Sequence, residues 1–195
     1  MAWPVSRARA AAEPTASAKI LVTGGFGVGK TTAIRAVSEV EVLSTEAVMT
    51  DASLGFDDTD AVPHKSTTTV AMDYGRLTLD TDLRLYLFGT PGQDRFWMMW
   101  DELARGALAA LVLVDTRRLE ASFAALNYFD ERNDIPYIVA INAFDGLITH
   151  PTSEVREALD LAQHIPLAVI DARETDEVLR ALRDLIDHAL NLVHV

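Results

Sequence analysis

Residues 19 to 32, Lys-Ile-Leu-Val-Thr-Gly-Gly-Phe-Gly-Val-Gly-Lys-Thr-Thr, constrain this chain more than any other stretch. The apolar run Ile20 to Thr23 reads as a short buried strand, broken by Gly24, Gly25, Gly27 and Gly29 before Lys30 opens a helical stretch. Gly24-x-x-x-x-Gly29-Lys30-Thr31 satisfies every position of G-x-x-x-x-G-K-[ST] in the strand, loop and helix order that a phosphate-binding loop needs. Glycines let the backbone curl so that successive N–H groups point inward at an anion. A helix N-terminus adds its partial positive charge. In such a loop Lys30 reaches the β- and γ-phosphates and the Thr31 hydroxyl ligates Mg²⁺. The competing reading is a glycine-rich turn that binds nothing; the structural context favours the phosphate site.

The rest of the chain alternates strand and helix signals. Strands are predicted at about 19–23, 67–74, 83–88, 107–114, 137–141 and 167–170. Helices are predicted at 30–39, 100–104, 119–132, 152–162 and 174–192, with Thr152 or Ser153 as a cap for the fourth. This pattern predicts an α/β fold: a mostly parallel six-stranded sheet with helices on both faces. Residues 75–82 read as a polar connection. Residues 41–68 resist assignment: 42–49 suggest a short strand or a turn of helix, and Asp51 to Lys65 reads as a long acidic loop. Residues 1–17 read as a flexible tail ahead of a single domain, 18–195.

Composition narrows the functional classes. A net charge of −12 argues against a general nucleic-acid or anionic-membrane surface, so positive potential must be focused locally, at Lys30 and the loop amides. The chain has no cysteine, which excludes disulfides, thiolate metal sites, prenylation and palmitoylation. No window approaches a membrane span, and the first residues lack the apolar core of a secretory signal, so the expected location is cytoplasmic. His64, His150, His164, His188 and His194 show no metal-ligand spacing.

Ligands in open α/β sheets sit at the carboxyl ends of the strands, so residues after the other strands should carry matching chemistry. After the fifth strand stands Asn142-Ala143-Phe144-Asp145, and after the sixth Asp171-Ala172-Arg173. Gly92-Gln93-Asp94-Arg95-Phe96, then Arg105-Gly106-Ala107 before an apolar strand ending in Asp115, and Thr69-Val70-Ala71-Met72-Asp73-Tyr74 complete a recognisable order. From residue 18 onward the chain resembles the small Ras-like GTPases, P-loop proteins that bind GTP and GDP with Mg²⁺.

The resemblance implies roles. Gly25, Phe26, Gly27, Val28, Gly29, Lys30, Thr31, Thr32 and Gly92 would surround the phosphates. Asn142, Asp145, Asp171, Ala172 and Arg173 would form the base site, with Asp145 accepting from guanine N1 and N2 and the Ala172 amide donating to O6. Thr31 and Thr69 would ligate Mg²⁺, while Gln93 and Lys30 would act in catalysis by orienting water and absorbing charge.

Departures from the pattern carry information too. Gly89 replaces the aspartate of D-x-x-G, Ala143 the lysine of N-K-x-D, and Phe26 a small loop residue; the interval from Thr31 to Thr69 is long. Together these resemble the bacterial MglA-like gliding-motility GTPases and the conservon-type GTPases of actinomycetes, which implies a roadblock-type regulator and a sensor kinase as partners. Residues 41–68 contain no arginine, and an arginine finger is worth about 10³ to 10⁵ in rate, so slow hydrolysis is expected. Trp97 or Trp100 is a candidate partner surface or, equally, core packing. Two rivals stay open: a guanine-nucleotide scaffold with little catalysis, and an ATP-dependent ATPase or kinase using Asp115 as its Walker B carboxylate.

Overall fold

Apolar continuity decides which strands lie in the middle. Ala109–Val114 and Tyr137–Asn142 are buried at every residue, as expected of strands covered on both faces. A computed structural model of the protein describes residues 16–49, 68–79, 82–92, 99–132 and 134–193. The strands are β1 (Ala16–Thr23), β2 (Leu43–Met49), β3 (Thr68–Leu79), β4 (Leu83–Gly89), β5 (Ala109–Val114), β6 (Tyr137–Asn142) and β7 (Leu167–Ile170). The helices are α1 (Lys30–Val37), α2 (Trp100–Ala104), α3 (Glu120–Arg132), α4 (Thr152–Ala158) and α5 (Thr175–Val193).

The sheet order is β2-β3-β4-β1-β5-β6-β7. β1 pairs in parallel with both β4 and β5, and β6 and β7 continue the parallel side. β2 and β3 form antiparallel pairs at the other edge. The order therefore runs outward in both directions from β1, and the loop after β1 opens at the point of divergence, where such sheets bind ligands.

Side chains of period two divide the core between the faces. Ile20, Val22, Leu85, Leu87, Leu111 and Leu113 pack with Ile34 of α1 and Leu182 and Leu185 of α5. Leu21, Val112, Val114, Val139 and Ile141 pack on the opposite face with Trp100 of α2, Phe129 of α3 and Val155 of α4.

The predicted elements are present with some shifted bounds. The six expected strands are joined by β2, which resolves the ambiguous stretch 42–49 as a seventh, edge strand. β1 begins at Ala16, whose partner is Leu83, so it starts inside the expected tail. β3 does not end at Tyr74: Leu77 and Leu79 alternate inward through the supposed connection, and Gly75 permits close approach of α1. A Cβ at Gly75 would lie 2.5 Å from Ile34 Cγ2. α4 ends at Ala158, and Pro151 precedes it where Thr152 or Ser153 was expected to cap; neither side chain caps it. Trp100 is 4 % exposed and packs edge-on against Tyr128, its Nε1 donating to the Pro91 carbonyl at 3.3 Å, so it is core and not partner surface. Trp97, the tail residues 1–15 and the acidic loop 50–67 lie outside the described residues.

Leu111 is fully buried at the centre of β5 against α1- and α5-facing residues. Leu111→Ala should lower unfolding free energy by about 2–5 kcal/mol, read as a fall in the urea midpoint at unchanged slope.

Candidate functional site

The loop after β1 is built by backbone that only glycine adopts readily. Gly24, Gly27 and Gly29 have φ of 129°, 75° and 106°. Two of the glycines are also required by contact: a Cβ at Gly24 would lie 2.3 Å from the Leu113 carbonyl oxygen, and one at Gly29 2.7 Å from Asn142 Nδ2. Val28 is buried between them, whereas Phe26 is 66 % exposed. Gly29 precedes α1 in the left-handed conformation, and the exposed Thr32 follows Lys30 and Thr31 in the first turn.

Lys30 folds back over the loop. Its Nζ donates to the carbonyls of Gly24 and Gly25, both at 2.7 Å. Burial pushes its pKa down to about 8, against the opposing pull of the Asp73 carboxylate. Gly92 stands directly over this cradle: a Cβ there would lie 2.6 Å from Lys30 Nζ and 2.8 Å from the Phe26 nitrogen. The structure thus brings Gly25, Phe26, Lys30 and Gly92 together. Thr31 Oγ1 donates to Asp73 Oδ2, a contact across from β3.

The loops after β6 and β7 join the same wall. Asn142 is 5 % exposed; its Nδ2 donates to the Val28 carbonyl at 2.9 Å and its Oδ1 accepts from the Ala172 amide at 3.0 Å. That amide, expected to face a base, is engaged within the protein. Asp145 sits in a tight turn with φ of 57° and stays exposed. Arg173 links the two motifs, donating to Asp145 Oδ1 at 2.9 Å and to Asp171 Oδ2 at 2.6 Å. The Arg173 guanidinium beside it holds the Asp171 carboxyl below the usual range.

Behind the loop, Asp115 is buried and accepts from Arg117 Nε at 2.8 Å and Nη2 at 2.9 Å. Those bonds lower its pKa, and Arg118 lies 3.6 Å away. Arg117 also stacks over Phe144, 3.8 Å from the ring centre. Arg118 Nη2 donates to the Phe26 carbonyl at 3.1 Å, bracing the loop from outside. Asp115 is thus committed to the two arginines, in keeping with a structural role.

Sequence reasoning missed Asp73 and Arg118 as members of the site. Asp73 was legible only as the cross-strand neighbour of the anomalous Gly89; Arg118 gave no signal, because its reach depends on the turn after β5. Gln93 lies outside the described residues, and Thr69 is placed as backbone in β3, opposite Val48.

A family model described as "Conserved hypothetical ATP binding protein" matches residues 22–192. The chain belongs to this family. It is also 32 % identical over 128 residues to the uncharacterized protein MJ1339 of Methanocaldococcus jannaschii, covering 65 % of this chain and 70 % of that protein. Among solved structures, the cytosolic domain of the T. maritima FeoB iron transporter in a GDP form aligns with a TM-score of 0.62 at 17 % identity, covering 90 % of this chain and 64 % of that one. The elongation factor SelB of Methanococcus maripaludis, in complex with the GTP analogue GppNHp, aligns with a TM-score of 0.59 at 19 % identity, covering 91 % of this chain and 34 % of that one. The chain therefore spans less than two thirds of each of these structures, and what they share with it is the fold. Family and fold together support a P-loop nucleotide-binding protein; the narrower MglA-like and conservon-type resemblance finds no support among these matches.

The Lys30 ammonium predicts a pH dependence. Its proton is held below about pH 8 and lost above it, while a phosphate group in the cradle favours the charged form. Nucleotide binding should therefore take up a proton above pH 8, and affinity should weaken by up to about tenfold per pH unit beyond it. Calorimetric titration across that range checks this; Lys30→Met, with no proton to gain, should bind weakly and without that slope.

Proposed function

We propose that the protein is a guanine-nucleotide switch that binds GTP and GDP with Mg²⁺ and hydrolyses GTP slowly. The observation that carries this reading is the joining of two loops at one strand end: Arg173 pairs with Asp145 while the Ala172 amide bonds Asn142. An exposed carboxylate on a left-handed turn suits recognition of two adjacent donors, which guanine has and adenine lacks. Gly25, Phe26, Gly27, Val28, Gly29, Lys30, Thr31, Thr32 and Gly92 would then hold the phosphates, with Asn142, Asp145, Asp171, Ala172 and Arg173 around the base.

The hydroxyl and carboxylate oxygens gathered at Thr31 are the ligand type that Mg²⁺ takes, and the ion, when bound by Thr31 and Thr69, supplies charge neutralisation on the phosphates. Gln93 would orient the attacking water, and Lys30 would take up charge developing on the transferred group. The narrower MglA-like or conservon-type affiliation, with its roadblock-type regulator, sensor kinase and cytoplasmic setting, belongs to this proposal and rests on sequence features alone. No helix among the described residues is long and apolar enough to cross a membrane.

A second reading, ATP binding, is favoured by the description of the family. Calorimetry with GDP, GTP and ATP in Mg²⁺, on the wild type and Asp145→Ala, separates the two. Asp145 is exposed and its pair with Arg173 is a surface one, so the substitution should cost little stability. Guanine-only binding lost in the variant is the expected result; ATP binding indifferent to residue 145 would overturn the guanine reading. Turnover should be slow, and a single-turnover rate on the order of one per second for the isolated protein would contradict that part.

A further inference from the structure

Gly89 ends β4 at the place where the resemblance leads one to expect an aspartate, and a glycine there leaves no side chain to approach Thr31. Its direct partner across the antiparallel ladder is Asp73 of β3. A Cβ added to Gly89 would lie 3.1 Å from the Asp73 Cβ and 3.3 Å from its Oδ2. The Asp73 side chain therefore leans into the volume that a side chain at position 89 would fill. The same Oδ2 accepts the Thr31 hydroxyl proton, and the carboxylate acts electrostatically on the Lys30 ammonium.

We propose that Asp73 is the outer carboxylate of the magnesium site, supplied from β3 in place of the one absent from β4. The proposal rests on the Mg²⁺-nucleotide reading above and is indifferent to which base is bound. The hydrogen-bond direction carries the argument. With its proton given to Asp73, the Thr31 oxygen keeps its lone pairs for a cation. A carboxylate behind a metal-ligating oxygen fixes that ligand's orientation and raises its basicity, and such outer partners are worth 10–100-fold in metal affinity. Asp73 adds a negative charge beside the ion and partly offsets Lys30. It is a positioning residue, acting through Thr31.

A purely structural role would require only an acceptor for the Thr31 hydroxyl. Asp73→Asn keeps that acceptor and the side-chain volume while removing the charge, so it separates the two roles. The probe is a fluorescent GDP analogue whose affinity is measured in EDTA and across a Mg²⁺ titration, with Mn²⁺ binding to the complex followed by electron paramagnetic resonance. Asp73→Asn should raise the Mg²⁺ concentration for half-effect by about 10–100-fold, while affinity in EDTA should not fall, because removal of the carboxylate leaves the Lys30 charge unopposed. Asp73→Gly combined with Gly89→Asp, which returns the carboxylate to β4 and clears the crowded space, should recover much of the loss relative to Asp73→Gly alone.

Unchanged Mg²⁺ and Mn²⁺ dependence in Asp73→Asn, with nucleotide still bound, would overturn the inference and leave the nucleotide reading standing. If the wild type binds neither the GDP analogue nor its ATP counterpart, the reading and the inference fall together. Should the wild type bind only the ATP counterpart, the same titrations with that probe decide the role of Asp73.

Discussion

The Asn142 carboxamide is bonded at both ends, and the arrangement of the site depends on it. A buried amide left unpaired would cost about 1–3 kcal/mol, so its donor and acceptor must both be met. They are met by the Val28 carbonyl of the glycine loop and the Ala172 amide after β7. One side chain on β6 thereby fixes the loops of three strands relative to one another. Gly29 must lack a side chain for the amide to come so near, so the glycine pattern serves the neighbouring strand as well as the phosphates. The loop is shaped from outside as much as by its own torsions.

Charge is organised with the same economy. In a chain of net charge −12, the cations at the carboxyl ends of the strands are held by carboxylates: Arg117 and Arg118 by Asp115, and Arg173 by Asp145 and Asp171. Lys30 differs, turning to backbone carbonyls with Asp73 near by. The anion-binding groups are thus concentrated in one loop, and the surrounding arginines are tied down as braces. Arg118 braces the loop through the Phe26 carbonyl.

Much of this was legible from residues alone, for identifiable reasons. Continuous apolar runs fixed the buried parallel strands, and the glycine spacing with Lys30 and Thr31 fixed the loop, because both signals are local. What escaped reading depended on pairing across the sheet. Gly75 looked like the end of β3 and is instead the point where α1 comes close to it. The stretch 42–49 looked ambiguous because an edge strand has only one neighbour to satisfy. Trp100 looked available to a partner because sequence could not show that Tyr128 and Phe129 lie beneath it. Asp73 escaped for the same reason: its meaning lies in its partner across the ladder.

The crowding between positions 73 and 89 has a consequence for how such chains can diverge. Both residues draw on one small volume, so carboxylates at both would crowd and repel, and side chains at neither would leave a void. An exchange between the two arrangements needs two substitutions, and each single step passes through one of those unfavourable intermediates. The two strands' choices are therefore linked, and a lineage that has adopted one layout is held in it by sterics rather than by the demands of any substrate.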